Sequence, residues 1–190
     1  MIQRLLRQLT IAGIATVLGG LVLFADTATT QSTAVDTTLP ARLTAQLNDI
    51  RRTERLPALL IDARLTQAAQ EKANQLMAEG RFDHITSDGR TPWDYIRAAG
   101  YHYELAGENL AIDFTQSSAI TLAWLTSPAH RANMFDPHFS DVGIATTTGK
   151  FQGRETLIVV ELFGRPNSIS KINQTLSTVV ERLTNESATK

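Results

Sequence analysis

The chain of 190 residues contains no cysteine, which excludes disulfides, thiolate metal sites and a cysteine nucleophile together. It has no cationic run: 18 Lys and Arg against 19 Asp and Glu leave a net charge of −1, so nucleic acid is not an expected partner. Three catalytic signatures are missing as well. There is no glycine-rich phosphate loop, no His-Glu-x-x-His helix and no Gly-x-Ser-x-Gly elbow. What is present is a composition with 43% hydrophobic and 19% charged residues, enough to bury one core of ordinary domain size.

The absence of disulfides points to the cytosol, but the N-terminus points outward. Arg4 and Arg7 precede an uncharged apolar stretch over residues 11–24, the pattern of a secretory signal. Residues 1–25 are therefore read as a signal peptide or an N-terminal membrane anchor. Ala25-Asp26-Thr27-Ala28 is a mediocre cleavage site, because Asp26 sits where a small residue is wanted, and the apolar run is short for a span. Residues 26–38 are polar and Thr-rich and read as a linker.

Helical spacing begins after Pro40 with Leu43, Leu47 and Ile50. Asp62 is a good N-cap for a second helix with Leu65, Ala68, Ala69, Leu76 and Met77 inward, closed by Gly80. Thr91-Pro92 opens a third, Ser117 or Ser118 caps a fourth, and Ser127-Pro128 opens a short turn carrying His130. Strands are expected over residues 104–112, where Gly107 interrupts, and over 142–147 and 156–163, with a hairpin connection across 149–153. Helices followed by mostly antiparallel strands predict an α+β domain over residues 39–164. In the tail, 165–190, Ile169, Ile172, Leu176, Val179 and Leu183 recur at helical spacing, so an amphipathic helix is expected, lying on the domain or meeting a partner. Trp124 and Phe163 are expected in the core.

Of four histidines, His84 follows the second helix and His130 sits at the start of a helical turn, both able to present a ring to a cleft. Glu108 lies in the small, apolar segment Ala106-Gly107-Glu108-Asn109-Leu110-Ala111, where a carboxylate is costly to bury without an imidazole, a cation or backbone amides beside it. Anchoring a loop and doing chemistry are both open to such a residue. Spacing alone does not bring His84, Glu108 and His130 together.

Several segments taken in order resemble bacterial members of the CAP superfamily, the cysteine-rich secretory, antigen 5 and pathogenesis-related 1 proteins. They are Leu56-Pro57-Ala58-Leu59 with Asp62, Phe82-Asp83-His84 followed by Asp88-Gly89-Arg90-Thr91-Pro92, Gly107-Glu108-Asn109-Leu110-Ala111, Trp124 to the Ser127-Pro128-Ala129-His130-Arg131-Ala132-Asn133 run, and Phe163-Gly164. The resemblance covers about residues 43–164. It implies a three-layer α-β-α sandwich with a small, mostly antiparallel sheet, and a cleft lined by two His and two acids. His84, Glu108 and His130 match three of those positions; the fourth falls at Ser127, so the set lacks one carboxylate.

Three functional expectations follow. The first is an exported binding module, extracellular, periplasmic or anchored facing outward, that takes a lipid, a glycan or a peptide as a monomer. Its only membrane contact would be the N-terminal segment. The second is weak binding of one divalent metal such as Zn²⁺ by His84 and His130, lost as pH falls through about 6.5. The third, ranked below binding, is a metal-dependent hydrolase with Glu108 as general base.

Overall fold

Residues 38–188 are described by the computed structural model. The first helix, α1 (Thr38–Thr53), is followed by a two-residue strand, β1 (Leu60–Ile61), and by α2 (Ala63–Glu79). Then come α3 (Pro92–Ala98), β2 (Tyr103–Ile112), α4 (Ser117–Thr126), α5 (Pro128–Phe135), β3 (Asp141–Phe151), β4 (Arg154–Pro166) and α6 (Ser168–Ala188). The sheet runs β1-β3-β4-β2, antiparallel except where β1 pairs parallel with β3.

The alternation of β4 divides the core. Ile158, Val160 and Leu162 face α2 and α3, with Leu65, Ala68, Ala69, Ala73 and Leu76 of α2 packed against them. Val159 and Phe163 face the opposite layer, with Leu43, Leu47, Ile120, Trp124 and Met134 from α1, α4 and α5. This is an α+β, three-layer arrangement. The alanines let α2 come close, and at Gly143 closeness becomes a requirement, since a Cβ there would stand 2.2 Å from the carbonyl carbon of Leu65.

Local chemistry sets the boundaries of α2. The Asp62 carboxylate accepts the Arg64 and Leu65 N–H groups at its start, and Gly80 closes it in the left-handed conformation, φ 61°. The β3–β4 hairpin turns on Gln152 and Gly153, both at positive φ, so the connection is two residues long and shorter than the 149–153 expected.

Three local expectations need correction. α1 begins at Thr38, ahead of Pro40, because proline in a first turn gives up an N–H that has no helical partner anyway. Neither Ser117 nor Ser118 caps α4; Gln116 holds that place, and the Ser117 hydroxyl instead accepts from Gln46 Nε2 of α1 at 3.3 Å. Gly107 does not interrupt β2, which runs through it. β1, too short to show a period, was not foreseen. The N-terminal signal or anchor and nearly all of the Thr-rich linker lie outside the described residues.

Candidate functional site

Lys72 is the residue that organises the site, and its position on α2 explains how. It falls four residues after Ala68 and four before Leu76, on the helix face turned to the sheet, and is fully buried. Its Nζ stands 2.7 Å from Glu108 Oε2, an ion pair whose angles depart from those of a directed hydrogen bond. The same ammonium donates to the backbone carbonyl of His84. Burial pulls the Lys72 proton affinity down and the Glu108 charge opposes it.

Glu108 Oε1 meets His84 Nδ1 at 2.6 Å. The Glu108 side chain is 2% exposed, whereas that of His84 is 60% exposed and faces outward from the pair. The hydrogen bond to Glu108 raises the His84 pKa above its ordinary value. With Nδ1 engaged, Nε2 is the nitrogen offered to a ligand. The loop carrying His84 is itself braced. The Thr86 N–H donates to the Arg90 carbonyl at 3.0 Å, its Oγ1 donates to Asp88 Oδ1 at 2.7 Å, and the Tyr95 hydroxyl donates to Thr86 Oγ1 at 3.2 Å.

A second network ties β2 to α5 on the opposite face of the sheet. Asn109 Nδ2 donates to Glu161 Oε2 at 2.9 Å and to the His130 carbonyl at 3.3 Å. Asn133 Nδ2 donates to Asn109 Oδ1 at 2.9 Å and to the Glu108 carbonyl at 3.0 Å. Trp124 Nε1 likewise donates to the Leu110 carbonyl at 2.9 Å. Glu108 and Leu110 share strand parity, and β2 pairs only with β4, so these two carbonyls belong to its outer edge. Side-chain donors from α4 and α5 therefore close an edge that would otherwise invite another strand. Glu161 is fully buried, which pushes its carboxyl up to about 8 against the opposing hydrogen bond from Asn109.

Where the two networks meet, a cleft of about 490 Å³ opens, lined by His84, Ile85, Thr91, Pro92, Trp93, Ala106, Gly107, Glu108 and Asn133. One wall is apolar, from Ile85, Pro92, Trp93 and Ala106; the other offers an imidazole and an amide. His130 is half-buried in the first turn of α5, outside that lining, and its pKa is lowered by burial and by the charge of nearby His84. Ser127 joins α4 to α5 through its backbone and makes no side-chain capping bond. His138 pairs with Asp136 at 2.8 Å on an exposed surface, and His102 is exposed with its carbonyl accepting from Asn167 N.

The structure thus brings His84 and Glu108 into one hydrogen-bonded unit, with His130 near enough to sense its charge. Among the described residues no three His, Cys, Asp or Glu side chains are grouped so as to hold a metal ion.

A family profile described as the cysteine-rich secretory protein family (CAP) matches residues 44–163. The chain belongs to that family. A curated relative from Bacillus subtilis, the uncharacterised protein YkwD, is 29% identical over 124 residues, which are 62% of this chain and 48% of YkwD. The chain thus spans about half the length of that relative. An outer surface protein of Borrelia burgdorferi is 25% identical with a TM-score of 0.61, covering 69% of this chain and 95% of that one. An extracellular SCP-domain protein of Bacillus anthracis is 23% identical with a TM-score of 0.59, over 67% of this chain and 40% of that one, and shows the fold.

Sequence reasoning did not find Trp93 or Asn133 as parts of this CAP cleft, nor Lys72 buried behind it. Lys72 carried a signal: a lysine at i+4 from Ala68 on an otherwise apolar helix face. Trp93 and Asn133 follow from tertiary arrangement alone.

Proposed function

We propose that this CAP domain is exported and acts outside the cytoplasm as a binding module, with the cleft between the His84 loop, β2 and α5 as its ligand site. The observation that carries this reading is the condition of Glu108. Both of its oxygens are engaged, by Lys72 and by His84, and its side chain lines the cleft floor with only 2% of its surface exposed. A general base must reach the proton it removes, directly or through one water. Glu108 instead orients His84, which favours binding over hydrolysis. The facing apolar and polar walls suit a ligand with one hydrophobic face and a hydrogen-bonding edge, as in a glycan, a peptide or a lipid headgroup with its first methylenes. Export is supported by Arg4 and Arg7 ahead of the apolar residues 11–24, and by the extracellular and outer-surface descriptions of the two bacterial proteins.

Trp93 supplies the assay, because the other tryptophan, Trp124, is buried in the core. Its emission is followed while a chitooligosaccharide, a mixed peptide library and phospholipid micelles are each titrated in. The expected result is a saturable change with one of them, weakened by Asn133→Ala, and no turnover of quenched fluorescent peptides. Peptide turnover that falls a hundredfold in Glu108→Gln would establish the hydrolase instead.

A divalent metal is a subordinate part of the proposal. His84 Nε2 and the His130 ring are its donors, with Glu108 behind His84 as carboxylates commonly stand behind zinc-bound imidazoles. Calorimetric titration with Zn²⁺ should give heat that disappears in His84→Ala/His130→Ala and persists in His102→Ala/His138→Ala. Equal heats in wild type and the first double variant would remove the metal and leave the binding cleft.

A further inference from the structure

α6 leaves its apolar side uncovered. Ile169, Ile172, Leu176, Val179, Val180 and Leu183 are 47–71% exposed, and the helix makes no extended contact with the other described elements. Their arrangement is more specific than a hydrophobic stripe. Ile169, Ile172, Leu176, Val179 and Leu183 follow one another at intervals of three, four, three and four residues, an average period of 3.5. Over these two heptads that is the spacing of one helix packed along another. The residues flanking the seam are Ser168, Asn173, Thr175, Val180 and Arg182, of which only Val180 widens it.

We infer that α6 pairs with α6 of a second copy of this chain. Charge separates this partner from a membrane surface. The helix carries Lys171 and Arg182 against Glu181 and Glu186, so it has no net charge and no basic face to attract anionic lipid. Two such helices do not repel each other, and each presents the seam that the other needs. No other helix among the described residues exposes a comparable row, since Leu122 is the one large apolar residue left exposed on any of them. The area is sufficient. Six side chains of this kind cover on the order of 100 Å² each. Two helices then bury roughly 1,200 Å², where specific interfaces begin. At 21 residues the helix is about 30 Å long, room for the whole seam in one contact. A dimer through α6 would replace the monomer expected from the sequence.

The lack of native cysteine makes the test clean. Leu176 is the middle seam position and meets its counterpart whichever way the two helices run; Glu181 lies on the outer side. Single variants Leu176→Cys and Glu181→Cys of the full chain are oxidised under mild conditions and followed on non-reducing gels. Disulfide-linked dimer should form at least tenfold faster with Leu176→Cys. Adding Ile172→Glu should lower its rate to that of Glu181→Cys while the thermal unfolding of the domain stays unchanged. Equal rates at the two positions, no dimer at either, or rapid linkage untouched by Ile172→Glu would each overturn the inference. None of these outcomes bears on the cleft.

Discussion

Replacing Lys72 by methionine removes a charge while keeping most of the side chain's volume, so its effect reports on the ion pair more than on packing. Lys72 is fully buried and the Glu108 side chain is 2% exposed, which leaves the carboxylate no water to turn to when its cation is lost. Breaking a buried pair from one side costs about 3–5 kcal/mol. The lower end applies here, because His84 Nδ1 still holds Oε1 at 2.6 Å. For a domain of this size about 3 kcal/mol lowers the melting temperature by roughly 6–12 °C. The variant Lys72→Met/Glu108→Gln has no orphaned charge and should recover about 2 kcal/mol relative to Lys72→Met alone, a large coupling between contacting residues. Urea unfolding of the four proteins measures it. A loss below about 1 kcal/mol for Lys72→Met, or strictly additive effects, would refute the view that this pair holds the site together.

The buried carboxyl of Glu161 gives a pH prediction of definite sign. Its pKa is raised from an ordinary 4.5 to about 8, so across that window the native state keeps a proton that the unfolded chain has lost, and stability falls as pH rises. The slope is at most about 1.4 kcal/mol per pH unit. Glu161→Gln should flatten it, matching wild type near pH 5 and exceeding it by a few kcal/mol near pH 9; parallel curves of melting temperature against pH would count against the argument. Trp124→Ala deletes a residue that is 2% exposed and leaves the Leu110 carbonyl without its donor, so a loss of about 3–5 kcal/mol is expected by denaturant unfolding, and an unchanged midpoint would contradict its core role.

Much of the fold could be read from the chain because the signals are local. Asp62 and Gly80 bound α2 through cap chemistry, and Pro92 and Pro128 open helices where a missing N–H costs nothing. The position of β1 could not be read, since two residues carry no periodicity and its pairing with β3 is set by tertiary contact. Ser117 looked like a cap because capping and interhelix bonding ask for the same hydroxyl. At the site, Glu108 was legible as a carboxylate needing a partner, but the partner was not. Lys72, and likewise Arg51 four residues after Leu47, stand on inward helix faces where a cation is expected to break the pattern. Each instead meets oxygens brought from elsewhere: Glu108 for Lys72, and the Pro57, Met134 and Asp136 carbonyls for Arg51.

The role of Glu108 here is to hold and orient His84. NMR titration of the histidine ring protons, assigned with single His→Ala variants, tests it most directly. His84 should titrate above 6.5, with the hydrogen bond to Glu108 as the largest cause, and His130 below it, through burial and the His84 charge. In Glu108→Gln the His84 value should fall, because the hydrogen bond that raises it is weakened. A His84 that titrates at or below 6.5 in the wild type, or that does not respond to Glu108→Gln, would contradict the hydrogen bond by which Glu108 orients it.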